Sequence, residues 1–228
     1  MLRNNTPCGQ KLIIYKSWLK NTLMSLNDEI KTTLKTGDES FTYSENDLDF
    51  RLIDFWKWST SDLVNNTTRG ILAEYIVAKA LDIDTSTPRK EWDAYDLITS
   101  EGIKIQVKSA SYIQSWSQKE YSKISFTIKK SKPWDSRSNS YGTESTRVAD
   151  VYIFALLDHK DKETINPLNL DQWIFYILHV NDINNHYKNM NSLSLNSLEN
   201  ICKVIPFLEI KEEFHNVIEN AGKYRLNI

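Results

Sequence analysis

Four residues of this chain have types and spacings suited to handling charge: Glu74, Asp96, Gln106 and Lys108. The last two stand in Ile103-Lys104-Ile105-Gln106-Val107-Lys108, which alternates apolar and polar. Alternation of period two predicts a strand with Gln106 and Lys108 on one face. Ala94-Tyr95-Asp96-Leu97-Ile98 predicts a second strand. Between them Ser100-Glu101-Gly102 forms a three-residue loop, with Gly102 at the left-handed position. If Thr99 closes this hairpin against Ile103, Asp96 lies opposite Gln106 and shares a face with Lys108. A slip of one residue would send Asp96 to the other face. Asp93, three residues earlier, stands in reserve and would point the other way in a strand.

The fourth residue needs a helix to carry it. Arg69 to Leu81 is apolar nearly all round, which predicts a buried helix with Thr67 or Thr68 as its N-cap. Glu74 sits in the middle of it. A carboxylate there is costly unless it meets a cation or a metal. The plainer alternative is a glutamate that reaches the rim or pairs with an arginine.

An acid on a helix, an aspartate before a hairpin and (D/E)-x-K on the next strand make up a pattern that resembles the PD-(D/E)XK nucleases. Here it is Glu74, Asp96 and Gln106-Val107-Lys108. Asp54-Phe55-Trp56-Lys57-Trp58, Glu91-Trp92-Asp93-Ala94-Tyr95-Asp96-Leu97, Arg147-Val148-Ala149-Asp150-Val151-Tyr152 and Gln172-Trp173-Ile174-Phe175-Tyr176 extend the likeness to bacterial restriction-endonuclease-like proteins, from roughly Asp54 to Val180. The resemblance implies an α/β restriction-endonuclease-like core, a mixed central sheet flanked by helices. It implies Mg²⁺-dependent hydrolysis of double-stranded DNA, with Mn²⁺ as a substitute, in restriction, defence or a mobile element. The implied metal ligands are Asp96, the Gln106 amide oxygen, the Val107 carbonyl and Glu74, with Lys108 on the attacking water or the phosphate. Hydrolysis of a phosphodiester builds negative charge that a hard cation on oxygen ligands neutralises. The departure is Gln106, where the family carries Asp or Glu. A neutral amide holds Mg²⁺ less strongly, so the competing function is a nucleic-acid-binding protein with a degenerate site.

The remaining sequence supplies the scaffold. Gln10 to Leu34 has helical periodicity, Lys35 to Asn46 reads as a polar loop, and Leu48 to Trp58 as a second helix. Ile124 to Ile128, Val151 to Leu157 and Trp173 to Leu178 predict further strands, and Glu212 to Ala221 a closing helix. The expected division is an N-terminal helical extension, residues 1–47, and a nuclease domain, residues 48–228. The chain has 228 residues, 40% of them hydrophobic, and only six glycines and five prolines. Those values exclude collagen-like and largely disordered chains. No apolar run is long enough to span a membrane, and no signal-peptide core precedes the helices, which predicts a cytoplasmic protein. Two cysteines are too few for a disulfide framework or a zinc site. The four histidines lack metal-ligand spacing.

A net charge of −2 gives no global attraction to nucleic acid, so any such surface is local. The segment Gln118 to Arg147 is the candidate. Lys119, Lys123, Lys129, Lys130, Lys132 and Arg137 would grip phosphates, with Ser109 and Gln114 beside them on the motif strand. The alternative is an ordinary solvated loop. Cutting both strands of a duplex predicts a homodimer, for which the Gln10–Leu34 helix is the candidate element.

Overall fold

The computed structural model describes residues 30–91, 93–132, 134–135 and 140–225. Residues 33–228 group into one compact unit. The greater part of the expected Gln10–Leu34 helix lies outside the described residues, and residues 30–36 are not helical.

The segment read as a loop and a helix start is instead a hairpin. Strands β1 (Ser40–Tyr43) and β2 (Asn46–Arg51) pair antiparallel. The turn residues Ser44 and Glu45 both adopt positive φ, 49° and 65°. Two left-handed residues in a two-residue loop match the right-handed twist of the flanking strands. Helix α1 therefore starts at Leu52, four residues later than expected, and ends at Thr60. The Asp54 carboxylate fixes that start by accepting from the Arg51 backbone N–H at 2.8 Å.

The core forms around four strands: β3 (Leu97–Ile98), β4 (Lys104–Ser111), β8 (Val151–Leu157) and β9 (Trp173–His179). They lie in the order β3-β4-β8-β9. β4 and β8 run parallel, and both outer pairs run antiparallel, so the sheet is mixed. Every residue of β8 is buried, as its uninterrupted apolar run predicts for a central strand. Shorter strands β5 (Ser125–Thr127), β6 (Trp134–Asp135), β7 (Ser140–Tyr141) and β10 (Ser192–Ser194) pair outside this sheet.

Helices cover both faces. On one side α2 (Asn66–Ala80) and α5 (Ile210–Arg225) enclose Ile105, Val107, Val151, Ile153 and Phe175. On the other, Tyr152, Phe154 and Tyr176 pack with Phe126, Ile183 and Leu198. Ile183 belongs to α3 (Val180–His186), and Leu198 to α4 (Leu195–Glu199). The chain is thus mixed α/β, with a mixed sheet between helices. Among the described residues no helix is long and apolar enough to cross a membrane.

Two local features position the site. The N-cap of α2 is Asn65, whose side chain accepts from Thr68 N–H, rather than Thr67 or Thr68. The β3–β4 turn closes as its sequence predicts. Thr99 N–H donates to Ile103 carbonyl at 3.0 Å, and Gly102 takes φ +85°. Leu97 then pairs with Ile105 and Ile98 with Lys104.

Candidate active site

That register decides where Asp96 goes. β3 begins only at Leu97, so Asp96 stands at the point where β4 loses its neighbour. Its backbone N–H still donates to Ile105 carbonyl at 3.0 Å. Its carboxylate then takes over the acceptor role of a missing strand residue. Oδ2 accepts the Val107 backbone N–H at 2.7 Å and also the Gln106 side-chain amide. In a strand the N–H and C=O of one residue point to the same side. The Val107 carbonyl therefore faces the Asp96 side of β4.

Gln106 and Lys108 alternate with the buried Ile105 and Val107, so they share the other face, half-buried. Asp96 and Gln106 meet as the turn arithmetic predicts. Asp93 is exposed and lines the same cleft as Asp96, while the hydrogen bonds to β4 come from Asp96. The cleft has a volume of about 580 Å³ and lies between α2 and the β3 edge.

Glu74 enters this cleft from α2 and is 9% exposed. The helix buries it because Ala73, Ile76, Val77 and Ala78 beside it pack inward. Arg89, on the irregular chain between α2 and β3, closes on it as a fork. Arg89 Nη2 donates to Oε1 at 2.9 Å, and Nε donates to Oε2. Burial pushes the Glu74 carboxyl above its ordinary range, and Arg89 pulls against that shift. The Asp96 charge pushes Glu74 up further and the Lys108 charge draws it down. Arg89 itself is raised, first by its bonds to Glu74. The two directions agree once burial is counted: the pair is attractive, yet desolvation of Glu74 outweighs it. Asp96, Lys108 and Arg89 thus all lie within electrostatic reach of Glu74. Nothing in the sequence around Pro88-Arg89 marks that residue; only the need of Glu74 for a cation does.

The donors suit a hard cation in kind: one carboxylate, one amide oxygen and one carbonyl around Asp96. Both hydrogen bonds to Asp96 fall on Oδ2, so Oδ1 lies outside them. With Nε2 of Gln106 turned to Asp96, its Oε1 is the atom left for a ligand. Among the described residues no cluster of three or more Asp, Glu, His or Cys is arranged to hold a metal. Mg²⁺ does not require one, since it keeps several waters and takes one or two carboxylates along with substrate phosphate.

The expected nucleic-acid contacts separate into two groups. Ser109 and Gln114 turn inward, onto Arg69 of α2. Arg69 Nε donates to Ser109 Oγ at 3.0 Å, and Nη1 donates to Val64 carbonyl at 2.7 Å. Gln114 is 7% exposed, and its Nε2 donates to Ser111 carbonyl and Ser122 Oγ. Arg69 is 3% exposed, and burial lowers it to about 10. These residues brace the far end of β4 against α2. Lys119, Lys123, Lys129 and Lys132 are exposed and Lys130 is half-buried, which leaves all five at the surface. Arg137 lies outside the described residues. Arg147, counted with this basic segment in the sequence, is buried at 8% exposure.

The structure thus sets Asp96 on β4 beside Gln106, and Glu74 and Arg89 in the cleft that Asp96 lines. Residues 15–197 match the family described as bacteriophage T4 endonuclease IV, and the chain belongs to that family. The matched span contains Glu74, Arg89, Asp96, Gln106 and Lys108, and membership places the chain among endonucleases. No curated protein matches it.

Proposed function

We propose that the chain is a Mg²⁺-dependent DNA endonuclease of the PD-(D/E)XK type, with glutamine in the D/E position. The observation that carries this reading is the convergence of Asp96, Gln106 and the Val107 backbone just before β3 begins, with Asp96 and Lys108 both within charge range of Glu74. Asp96, the Val107 carbonyl and the Gln106 amide oxygen would hold the cation. Bound there, it would offset charge on the phosphate and acidify a water.

The chain's own residues supply the remainder. Asp96 is fixed by its bonds to β4, so its geometry does not have to be organised when substrate arrives. Lys108, on the Gln106 face, brings an ammonium to the phosphate or to the attacking water. Glu74 is engaged by Arg89 in this structure and orients that guanidinium into the cleft, where a phosphate would meet it. Double-stranded DNA is the proposed substrate and a homodimer the proposed assembly, since each chain holds one such site.

A second reading has its own observation. The Gln106 amide donates to Asp96, and Glu74 spends both oxygens on Arg89. A site closed in this way suits a protein that binds DNA and cuts poorly. Incubating the purified protein with plasmid and Mg²⁺ or Mn²⁺, with EDTA as control, separates the two. Metal-dependent cutting supports the nuclease. Retention of DNA without cutting supports the binding protein.

A further inference from the structure

A second concentration of positive charge lies away from the cleft. A hollow of about 540 Å³ is lined by Lys130, Thr146, Arg147, Asn184, Asn185 and Lys188, together with Ser145. Its described lining holds three cations and no acid. Arg147 forms the floor. Its Nε donates to Ile128 carbonyl at 2.7 Å and its Nη1 to Asn184 Oδ1 at 2.6 Å. Nη2 donates to the carbonyls of Tyr187 and Met190, just beyond α3. All four partners are neutral oxygens. They satisfy the hydrogen bonds of the guanidinium, and among the described residues no acid pairs with its charge. Burial lowers its pKa, but an arginine keeps its proton at neutral pH.

A buried cation with two lysines at the rim of a concave polar surface concentrates positive potential in one place. The amides and hydroxyls of Asn184, Asn185, Ser145 and Thr146 add neutral hydrogen-bonding groups suited to an oxyanion. The hollow also has a defined relation to the active cleft. Tyr152 stands opposite Gln106 in the β4–β8 register. Its hydroxyl feels both the Arg147 cation and the Asp96 carboxylate. Tyr152 therefore lies within charge range of both sites.

We propose that this hollow is a phosphate-binding subsite, which takes a backbone phosphate of the nucleic acid at a distance from the scissile bond. The proposal rests on the reading of the chain as a nuclease, and it gives that reading a second anchor for the same strand. Lysines position the backbone without reading sequence, so the contact would strengthen binding to all sequences alike.

The test is a Lys130→Gln, Lys188→Gln double variant of the full chain. Both side chains lie at the rim, so the fold does not depend on them as it does on Arg147. Its affinity for a fluorescent duplex is measured by anisotropy in EDTA, across a range of salt concentrations. Each phosphate neutralised contributes about 0.9 to the slope of log affinity against log salt, so loss of the one held here should flatten it by about 0.9. Affinity near 0.15 M salt should fall on the order of tenfold. The control is Lys203→Gln, Lys211→Gln, which removes the same charge where Glu213 and Asp82 already neutralise it. Unchanged affinity and slope in the first variant, or an equal change in the control, would overturn the proposal. So would loss of inorganic phosphate binding with no loss of DNA binding, which would mark a small-anion site. Because EDTA removes cleavage from the measurement, a wild-type protein that fails to cut with Mg²⁺ would count against the nuclease reading alone.

Discussion

Replacing Arg89 by alanine should destabilise the protein in a way that depends on pH. The Glu74 side chain is 12% exposed and that of Arg89 36%. Two charge-assisted hydrogen bonds join them. Breaking a fully buried pair costs about 3–5 kcal/mol, because the remaining charge has no partner. Arg89 is more than a third exposed, so water screens the pair and replaces part of what is lost. An expected cost of about 2 kcal/mol at pH 7 allows for that screening. For a domain of this size it corresponds to a fall in Tm of about 4–8 °C. The pH dependence follows from the direction of the Glu74 shift. Its folded pKa is raised, so the folded state holds this proton more tightly, and stability falls as pH rises through the folded pKa. Removal of Arg89 takes away its downward pull and raises Glu74 further. Below the ordinary glutamate range Glu74 is protonated in both proteins, and the variant should differ from wild type by less than about 1 kcal/mol. The difference should grow as pH rises above that range. Thermal unfolding of both proteins from pH 4 to 8, followed by circular dichroism, measures it. An equal deficit in Tm at pH 4 and pH 7, or none at either, would refute the reasoning. Arg89→Lys should fall between, since it keeps the charge and loses the fork.

Three further outcomes are expected. Asp96→Asn and Lys108→Ala should each lower the rate of plasmid cleavage by at least about 10²-fold, the scale of losing one charge-stabilising group, with Tm within about 3 °C of wild type; normal cleavage by either would remove it from the site. Gln106→Glu sets a second carboxylate against Asp96, so Tm should fall in EDTA and recover as Mg²⁺ is added; a Tm indifferent to Mg²⁺ would take position 106 out of the cation's reach. Arg69→Gln strips the buried hub that joins Ser109, Val64 and Asn66, and should cost about 2–4 kcal/mol by chemical denaturation; a loss below about 0.5 kcal/mol would show that the network re-forms without it.

Much of the site is local in the chain and was legible for that reason. The turn at Ser100-Glu101-Gly102 fixes a register, and the register sets Asp96 against Gln106. The β8 run and the α2 helix carry their burial in their composition. What could not be read is non-local or mixed in signal. Arg89 meets Glu74 from fifteen residues away along irregular chain, with no periodicity to point to it. Ser109 and Gln114 have the polarity expected of surface contacts, and a buried arginine from another element claims them. Arg147 counts as one more surface cation in composition, while its partners come from three segments. The β1–β2 hairpin is exposed throughout and lacks the one-sided apolar alternation that marks a strand.

The late start of β3 has a consequence beyond positioning a carboxylate. β3 pairs with only Lys104 and Ile105 of the eight-residue β4, so this flank of the sheet remains partly unsheathed. A bare strand flank invites another chain to add itself, the first step toward aggregation. Here the Val107 N–H, which an incoming strand would seek, is already bonded to Asp96. The negative charge of that carboxylate also discourages a second backbone from approaching. Asp96 therefore serves as a gatekeeper against intermolecular β-pairing. A variant that removes both its charge and its acceptor would lose protection from self-association along with its chemistry.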